Sequence, residues 1–232
     1  MRPGRSRPDG PGPTGSELAA PSAGAQPDAQ QREPSGALSD ASVQVTVRHT
    51  ADGREALLAA VASAAGVDAS AVRAGRVCPH CGSTAHGRPW ATAAGTTFPL
   101  STASTPGVVA VAVVVGAVPA GTEVGVDVER VCRVAAAPLD AFGAGELAGL
   151  VDERGRTAAW TVKEAVLKRD GRGLRVDPAS VLVDLDGPVA TFEGATQHVV
   201  VVHLDADLVL AVAAGGLPVV LDVDPAVRPA GG

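Results

Sequence analysis

The longest apolar run of the chain, VVAVAVVVGAV at residues 108–118, limits the folds that the sequence can adopt. It is too short to cross a bilayer as a helix, which takes about 20 apolar residues. Its many β-branched residues favour a strand, and a strand with no polar positions is typical of burial on both faces. The sequence therefore predicts that this segment is a core strand covered on both sides.

Composition excludes several classes of protein. The net charge of the 232-residue chain is −6, so a basic surface for nucleic acid is not expected. Aromatic residues make up 2% and tyrosine is absent, which leaves few platforms for stacking bases. The basic start, MRPGRSRPDG, lacks the apolar stretch of a secretory signal, and three cysteines give no disulfide framework. We expect a cytoplasmic protein without nucleic-acid or membrane partners.

The first half of the chain begins with a segment that cannot form a core. Residues 1–41 are rich in Pro, Gly, Ser, Ala and Gln, which predicts a disordered leader. Alternating valines then predict a strand from Ser42. Asp52 is placed to cap a helix that runs to Ala65, and Gly66 is placed to end it. Strands are predicted over residues 108–115 and 123–128.

The second half repeats this order of a helical region followed by strands. Helices are predicted over residues 139–150 and 156–168, with DGRG at 170–173 as the stop. A β-meander is predicted over residues 181–185, 198–203, 208–213 and 219–223. The predicted class is α+β, with two similar α/β lobes, each a helix packed on antiparallel strands. The predicted boundaries are 42–125 and 126–225, with a flexible tail at 226–232.

Two carboxylates stand on one face of an otherwise apolar strand in VGVDVER, residues 124–130. Strand side chains alternate, so Asp127 and Glu129 point one way while Val126 and Val128 point the other. One interpretation is a solvated edge strand whose charges are balanced by Arg130. The other is a metal site, which would need a third oxygen ligand from elsewhere in the chain.

The segment WTVKEAVLK, residues 160–168, offers that third ligand. Residues four apart share a helix face, so Trp160, Glu164 and Lys168 form one stripe. A plain Glu–Lys pair on an exposed helix explains the stripe equally well. In the metal hypothesis, Asp127, Glu129 and Glu164 hold Mg²⁺, which prefers oxygen ligands and substrate phosphate, and Lys168 lies one turn away for a phosphate.

These segments together resemble the 4'-phosphopantetheinyl transferase family in its longer, pseudo-dimeric form. The resemblance covers about residues 52–213. It is carried by GVDVE (125–129), WTVKEAVLK (160–168), DGRGL (170–174) and HGRP (86–89), with a weaker match at STPGVVAVAV (104–113).

The resemblance implies a fold and a reaction. Two lobes related by a pseudo-twofold would hold coenzyme A between them, and Asp127, Glu129 and Glu164 would bind Mg²⁺. A serine of an acyl or peptidyl carrier protein, such as those of secondary metabolite biosynthesis, attacks the β-phosphorus of coenzyme A. Adenosine 3',5'-bisphosphate leaves, and the carrier keeps the phosphopantetheine arm. The protein is expected to be monomeric.

The resemblance also implies roles for single residues. Lys168 would place its charge on the phosphates, and Glu164 is either a metal ligand or the base for the serine proton, two roles that stay open. Arg88 would meet a coenzyme A phosphate, as would Arg54 and Lys163.

One position departs from the family pattern. A histidine that helps to hold the nucleotide phosphate is missing, and Ser104 stands in its place, with Thr102 and Thr105 as alternatives. Weaker coenzyme A binding, or compensation by another cation, is expected. The rival function is a non-catalytic coenzyme A- or nucleotide-binding homologue, and a third reading is a purely structural α+β domain.

The segment CPHCG, from Cys78 to Gly82, resembles half of a zinc knuckle. A closed zinc site needs four ligands, and only His49, His80, His86 and Cys132 could complete it. No second Cys-x-x-Cys occurs in the sequence. The prediction for this segment is a structural turn.

Overall fold

A computed structural model of the chain describes residues 40–137, 140–143, 146, 149–150 and 152–227. The predicted leader up to residue 39 and the tail from residue 228 lie outside these residues, as does part of the predicted helix 139–150. That predicted helix is wrong for residues 140–143, which are not helical, and is confirmed at residues 146 and 149, which are. In chain order, the strands are β1 Ser42–His49, β2 Arg73–Val77, β3 Arg88–Ala93, β4 Thr96–Phe98, β5 Leu100–Thr105, β6 Val108–Val115, β7 Gly125–Arg130, β8 Leu182–Asp184, β9 Val189–Phe192, β10 Ala195–His198, β11 Val200–His203, β12 Leu208–Ala213 and β13 Val219–Val223. The α-helices with described bounds are α1 Gly53–Ala65, α2 Val131–Ala136 and α3 Glu153–Asp170.

A four-stranded sheet in the order β13–β1–β6–β5 contains the valine run. Strand β6 lies between β1 and β5 and is antiparallel to both. Its residues from Val108 to Val114 are all buried, which confirms the prediction of a strand covered on both faces. On one face it meets α1, where Leu57 and Val61 pack against Val111.

Helix α1 begins and ends where the sequence predicts. The Asp52 side chain accepts hydrogen bonds from the backbone N–H groups of Arg54 and Glu55, which satisfies donors that a helix start leaves open. Gly66 ends the helix in the left-handed conformation, with φ 65°.

A second sheet, β11–β12–β7, is three-stranded and antiparallel. The inner faces of the two sheets share one core, in which Val45 and Ala112 belong to the same apolar cluster as Val126, Val128 and Leu210. Helix α3 covers the outer face of the second sheet. The order of layers is therefore helix, sheet, sheet, helix.

The mixed α/β architecture with antiparallel sheets is confirmed, but the predicted meander is wrong at both of its ends. Strand β8 belongs to a separate sheet, in which it pairs with β9. Strand β13 leaves the second sheet and pairs in parallel with β1, with Val45 opposite Leu221. Val227 is buried in the shared core, so the folded chain extends past residue 225. The division into two lobes at residues 125 and 126 stays a prediction.

Two further antiparallel sheets, β2–β3–β4 and β10–β9–β8, flank the layers. Strands β2 to β5, strand β9 and all but the last residue of β10 were not predicted from the sequence. No helix among the described residues is long and apolar enough to cross a membrane.

Gly125 at the start of β7 sets how closely α3 approaches the second sheet. A Cβ at this position would overlap the backbone carbonyl oxygen of Ala165 and lie 2.7 Å from the backbone nitrogen of Arg169. Both atoms belong to the helix backbone, which cannot rotate away as a side chain can. Only glycine therefore permits this distance between helix and strand.

We predict that Gly125→Ala destabilises the fold, because the helix must shift away from β7. The cost expected for forced overpacking is about 1–3 kcal/mol in the free energy of unfolding. Gly53→Ala is the matched control, since a Cβ there meets nothing within 4 Å. Urea denaturation of the two variants measures the difference, and equal stability would contradict the close contact.

Candidate functional site

The outer face of β7 carries the two predicted carboxylates beneath α3. Residues 125, 127 and 129 share this face, while Val126 and Val128 point into the shared core. The Asp127 side chain is only 5% exposed, and its Oδ1 accepts a hydrogen bond from Lys168 Nζ at 2.5 Å. The interpretation of a solvated edge strand is therefore wrong for Asp127.

The helix presents the predicted stripe toward these carboxylates. Trp160, Glu164 and Lys168 are each partly exposed, whereas residues 161–163 and 165–167 between them are buried. The stripe thus follows the border between the core and the surface. Glu164 and Lys168 are close enough to the strand carboxylates to influence their charge.

The three carboxylates oppose one another's ionisation. Burial, and then the neighbouring charge of Asp127, raise the pKa of Glu129 to about 7 and also raise the pKa of Glu164. Burial raises the pKa of Asp127 despite the opposing charge of Lys168. When all three groups are ionised, the single charge of Lys168 does not balance them, and the site has an excess of negative charge.

These residues fit a hard divalent cation by their chemistry. Asp127 Oδ2 is buried and has no hydrogen-bond partner among the described residues, so one oxygen is left without a donor or cation. The donor set consists of three carboxylates, the oxygen ligands that Mg²⁺ prefers. In the described part of the chain, only Cys78, Cys81 and His86 gather three potential ligand atoms within 4.8 Å of one another. The carboxylates are thus spread more widely, with the Lys168 ammonium beside Asp127.

A basic cavity of about 250 Å³ lies next to this acidic face. Its walls come from the β2–β3 hairpin, the start of β5 and the C-terminal end of α3. Five cationic side chains line it: Arg76, Arg88, Lys168, Arg172 and Arg175. We call this space the basic cleft.

The cations of the basic cleft differ in how their charge is balanced. Arg88 forms an ion pair with Glu123, and Arg172 with Asp170 and Glu193. Within the described residues, Arg76 and Arg175 have no carboxylate partner. The cleft therefore has two uncompensated guanidinium groups, the side chains best suited to phosphate.

A second cavity of about 290 Å³ adjoins the basic cleft and shares Arg76, Thr102 and Lys168 with it. Ser104 also lines this second cavity. Arg76 donates a hydrogen bond to the Thr102 hydroxyl at 3.3 Å, beside the positions where the family pattern has its histidine. A cation therefore lies near the place of the missing histidine.

Two predicted phosphate contacts are not brought to these cavities. Lys163 is fully buried, and its ammonium donates to Glu146 at 2.9 Å and to the carbonyl oxygens of Pro178 and Val181. This placement contradicts the expected contact of Lys163 with coenzyme A. Arg54 donates to the carbonyl oxygen of Ala74 and does not belong to the described lining of either cavity.

Three arginines of the basic cleft were not predicted from the sequence. Arg172 lies in the DGRGL segment, which was predicted to end a helix and carries part of the resemblance, but no role was predicted for Arg172 itself. Arg76 is on a strand, RAGRV, without the alternation that predicts strands. Arg175 follows in a short 3₁₀ turn over Gly173–Arg175. Only the proximity of DGRGL to Lys168 could have indicated Arg172.

The family comparison bears on the part of the chain that carries the carboxylates. The sequence profile of the 4'-phosphopantetheinyl transferase superfamily (ACPS) matches residues 123–213. Residues 123–213 form a domain of this superfamily. The match supports phosphopantetheine transfer in general, and the superfamily normally uses coenzyme A and a divalent metal. No curated protein matches the chain.

The superfamily domain runs from just before β7 to the end of β12. It contains Asp127, Glu129, Glu164 and Lys168. Arg76, Arg88 and Ser104, which line the cavities from the other side, lie outside the matched residues. The acidic side of the site is therefore within the superfamily domain, and the hairpin side is not.

We predict that the stability of the metal-free protein falls as pH rises from about 4.5 to about 7. Folded Glu129 keeps its proton up to about pH 7, whereas the unfolded chain releases it near 4.5. The native state thus binds more protons in this range, which lowers the free energy of unfolding as pH increases. Over this pH range, the free energy of unfolding of Glu129→Gln should fall by about 1 kcal/mol less than that of the native chain. This figure allows for solvent screening of a partly exposed group.

Urea denaturation at several pH values, with and without Mg²⁺, measures the effect. Mg²⁺ should stabilise the native chain at the upper end of the range more than it stabilises Glu129→Gln, since only ligands that bind the native state do so. Asp186→Asn, at an exposed turn position, is the control. An unchanged pH profile in Glu129→Gln would contradict the coupling of the three carboxylates.

Proposed function

We propose that the protein transfers the 4'-phosphopantetheine arm of coenzyme A to a serine of an acyl or peptidyl carrier protein in a Mg²⁺-dependent reaction. Adenosine 3',5'-bisphosphate is the second product. The observation that carries this proposal is the position of Lys168, which bonds to Asp127 on the acidic face and also lines both cavities. A cation site and an anion site thus meet at one side chain.

The cationic side chains of the basic cleft would bind coenzyme A. Arg76 and Arg175 have no carboxylate partner among the described residues, and Arg88 lines the same cleft. Bidentate guanidinium contacts suit phosphate oxygens, and a pyrophosphate with a further 3'-phosphate offers several. Ser104 adds a hydroxyl donor in the second cavity. We do not assign Arg54 or Lys163 to this contact.

The three carboxylates would bind the metal. Asp127, Glu129 and Glu164 would hold Mg²⁺, which supplies a template and a Lewis acid when it is bound. Because Lys168 has a flexible four-carbon stem, its ammonium can turn from Asp127 toward a phosphate in the cavities that it lines. Lys168 then stabilises negative charge on the phosphates of the donor.

A carboxylate with a raised pKa would accept the proton of the carrier's serine. The serine oxygen of the carrier forms a bond to the β-phosphorus, and the bond from this phosphorus to the adenosine 3',5'-bisphosphate oxygen breaks. The serine proton must move to a base, and Glu164 is our candidate because burial raises its pKa above that of an ordinary carboxylate. Glu164 as a metal ligand only is the alternative.

Arg76 would replace the missing histidine. It is hydrogen-bonded to Thr102 on β5, and it lines the second cavity together with Ser104. A permanent charge on this side of the cavity would hold a nucleotide phosphate where hydroxyls alone are weaker donors. The chain therefore has a means of compensation, which favours the enzyme over the non-catalytic homologue.

We predict that the protein adds phosphopantetheine to at least one of a panel of apo carrier proteins, given coenzyme A and Mg²⁺. Intact mass of the carriers is the measurement. Glu164→Gln should lower kcat/KM by at least about 100-fold, the scale for losing one group that stabilises a transition state. Asp186→Asn, which removes an exposed carboxylate far along the chain from the site, should retain activity.

Two results separate the proposal from its rival. If thermal shift shows coenzyme A binding but no carrier is modified where a control transferase works, the chain is a non-catalytic binder. If neither Mg²⁺ nor coenzyme A raises the melting temperature, both functions are wrong.

We predict that Arg76→Ala raises KM for coenzyme A by about tenfold, the equivalent of one charge-assisted hydrogen bond. Arg156→Ala removes an exposed arginine of α3 that lines neither cavity among the described residues, and it serves as the control. Steady-state kinetics with varied coenzyme A measures the change. Equal KM values for the two variants would exclude Arg76 as the replacement for the histidine.

A further inference from the structure

Three metal-ligating side chains converge at the tip of the β2–β3 hairpin. Cys78 follows β2 directly, and His86 comes two residues before β3 begins. The ligand atoms of Cys78, Cys81 and His86 all lie within 4.8 Å of one another, and Cys81 Sγ is 3.4 Å from His86 Nε2. The sequence offers His86 as one of four residues that could complete a zinc site, and the loop brings this histidine back to the cysteines.

The backbone of the loop is folded around the Cys78 sulfur. Backbone N–H groups of Cys81 and His80 donate hydrogen bonds to this sulfur. The Cys78 carbonyl accepts from Gly82 N–H at 2.9 Å, and the Cys78 N–H donates to the Ser83 carbonyl at 2.8 Å. Amides that point at a cysteine sulfur stabilise the thiolate, the form that binds metals.

Gly87 closes the loop against the first cysteine. Its φ is 106°, and a Cβ there would overlap the backbone of Cys78. The chain can therefore return past Cys78 only with glycine at this position. Because His86 precedes Gly87, the same close passage holds the imidazole beside the two thiols, which are free and not joined as a disulfide.

We propose that Cys78, Cys81 and His86 bind Zn²⁺, with water in the fourth coordination position. Two thiolates and one imidazole form a donor set that suits zinc and not the hard Mg²⁺ of the carboxylate site. Each thiol that is still protonated releases its proton to solvent on binding, and no electrons are transferred. The site is separate from the three carboxylates in both position and ligand chemistry.

Bound zinc would fix one wall of the basic cleft. Cys78, Pro79 and Gly87 line that cleft, and Arg88 follows Gly87 directly. A metal that links the two ends of the hairpin loop opposes local opening of the loop, because opening must break a metal–ligand bond. Zinc should therefore raise the melting temperature, because it binds the native loop.

The test uses the full chain without a polyhistidine tag, reduced, and with Zn²⁺ or Co²⁺ alone. We expect one equivalent of Zn²⁺ per chain in competition with a chromogenic chelator, and thiolate-to-cobalt charge-transfer absorption with Co²⁺. Removing an outer-shell partner of a metal site costs about 10- to 100-fold in affinity, so losing ligands should cost more. The Cys78→Ser/Cys81→Ser double variant should bind at least about 100-fold more weakly, and His86→Asn at least about tenfold more weakly.

Matched variants show whether Cys78, Cys81 and His86 are the residues that bind zinc. Cys132→Ser and His198→Asn remove an exposed cysteine and an exposed histidine elsewhere, and both should bind zinc like the native chain. The proposal is overturned if the reduced native chain takes up no stoichiometric zinc, or if the double variant binds equally well. Formation of a Cys78–Cys81 disulfide in a glutathione buffer, without zinc uptake, would assign the pair to redox chemistry instead. Neither coenzyme A nor a carrier is present, so this result is independent of the proposed transfer.

Discussion

The close contact of α3 with β7 across Gly125 is the constraint on which the site depends. Because the helix backbone occupies the space of a side chain at residue 125, Asp127, two residues further on the same face, lies beneath the helix and away from water. Desolvation then raises the pKa of Asp127, Glu129 and Glu164 together. An unfavourable cluster of this kind favours a cation, because a cation relieves the repulsion that the fold creates.

Lys168 connects the acidic face to the basic cleft. Its position follows from helix geometry, since it lies one turn beyond Glu164 and near the end of α3, where the chain turns at Gly171. A side chain at a helix end can reach both the strand beneath and the space beyond the last turn. Lys168 therefore balances Asp127 in the absence of other cations, and it can stabilise a phosphate when the carboxylates are balanced otherwise.

Local patterns predicted the elements that carry the acidic half of the site, but not those that carry the basic half. The caps Asp52 and Gly66 bounded α1, and the spacing of Glu164 and Lys168 predicted their shared stripe. Strand β2, however, has neither alternation nor β-branched residues in its RAGR segment. The sequence therefore predicted no strand there, and Arg76 could not be placed. The pairing of β13 with β1 joins distant parts of the chain, and no local signal encodes it.

Lys163, which precedes Glu164 by one position, was predicted to contact a phosphate. Neighbouring residues of a helix point in different directions, and Lys163 points into the core.

In the proposed function, arginines outside the superfamily domain bind coenzyme A together with Lys168 inside it, and an ordered hairpin loop would favour this. Arg88 is the first residue of β3 and follows the loop that Cys78, Cys81 and His86 draw together. Ordering a flexible loop during binding costs free energy that then subtracts from affinity. A loop held by glycine at residue 87, by hydrogen bonds around Cys78 and by the proposed zinc would be ordered before the ligand binds. Arg88, and Arg76 on the neighbouring strand, would then hold their guanidinium groups in place at the cleft, and more of their attraction for phosphate would remain as binding affinity.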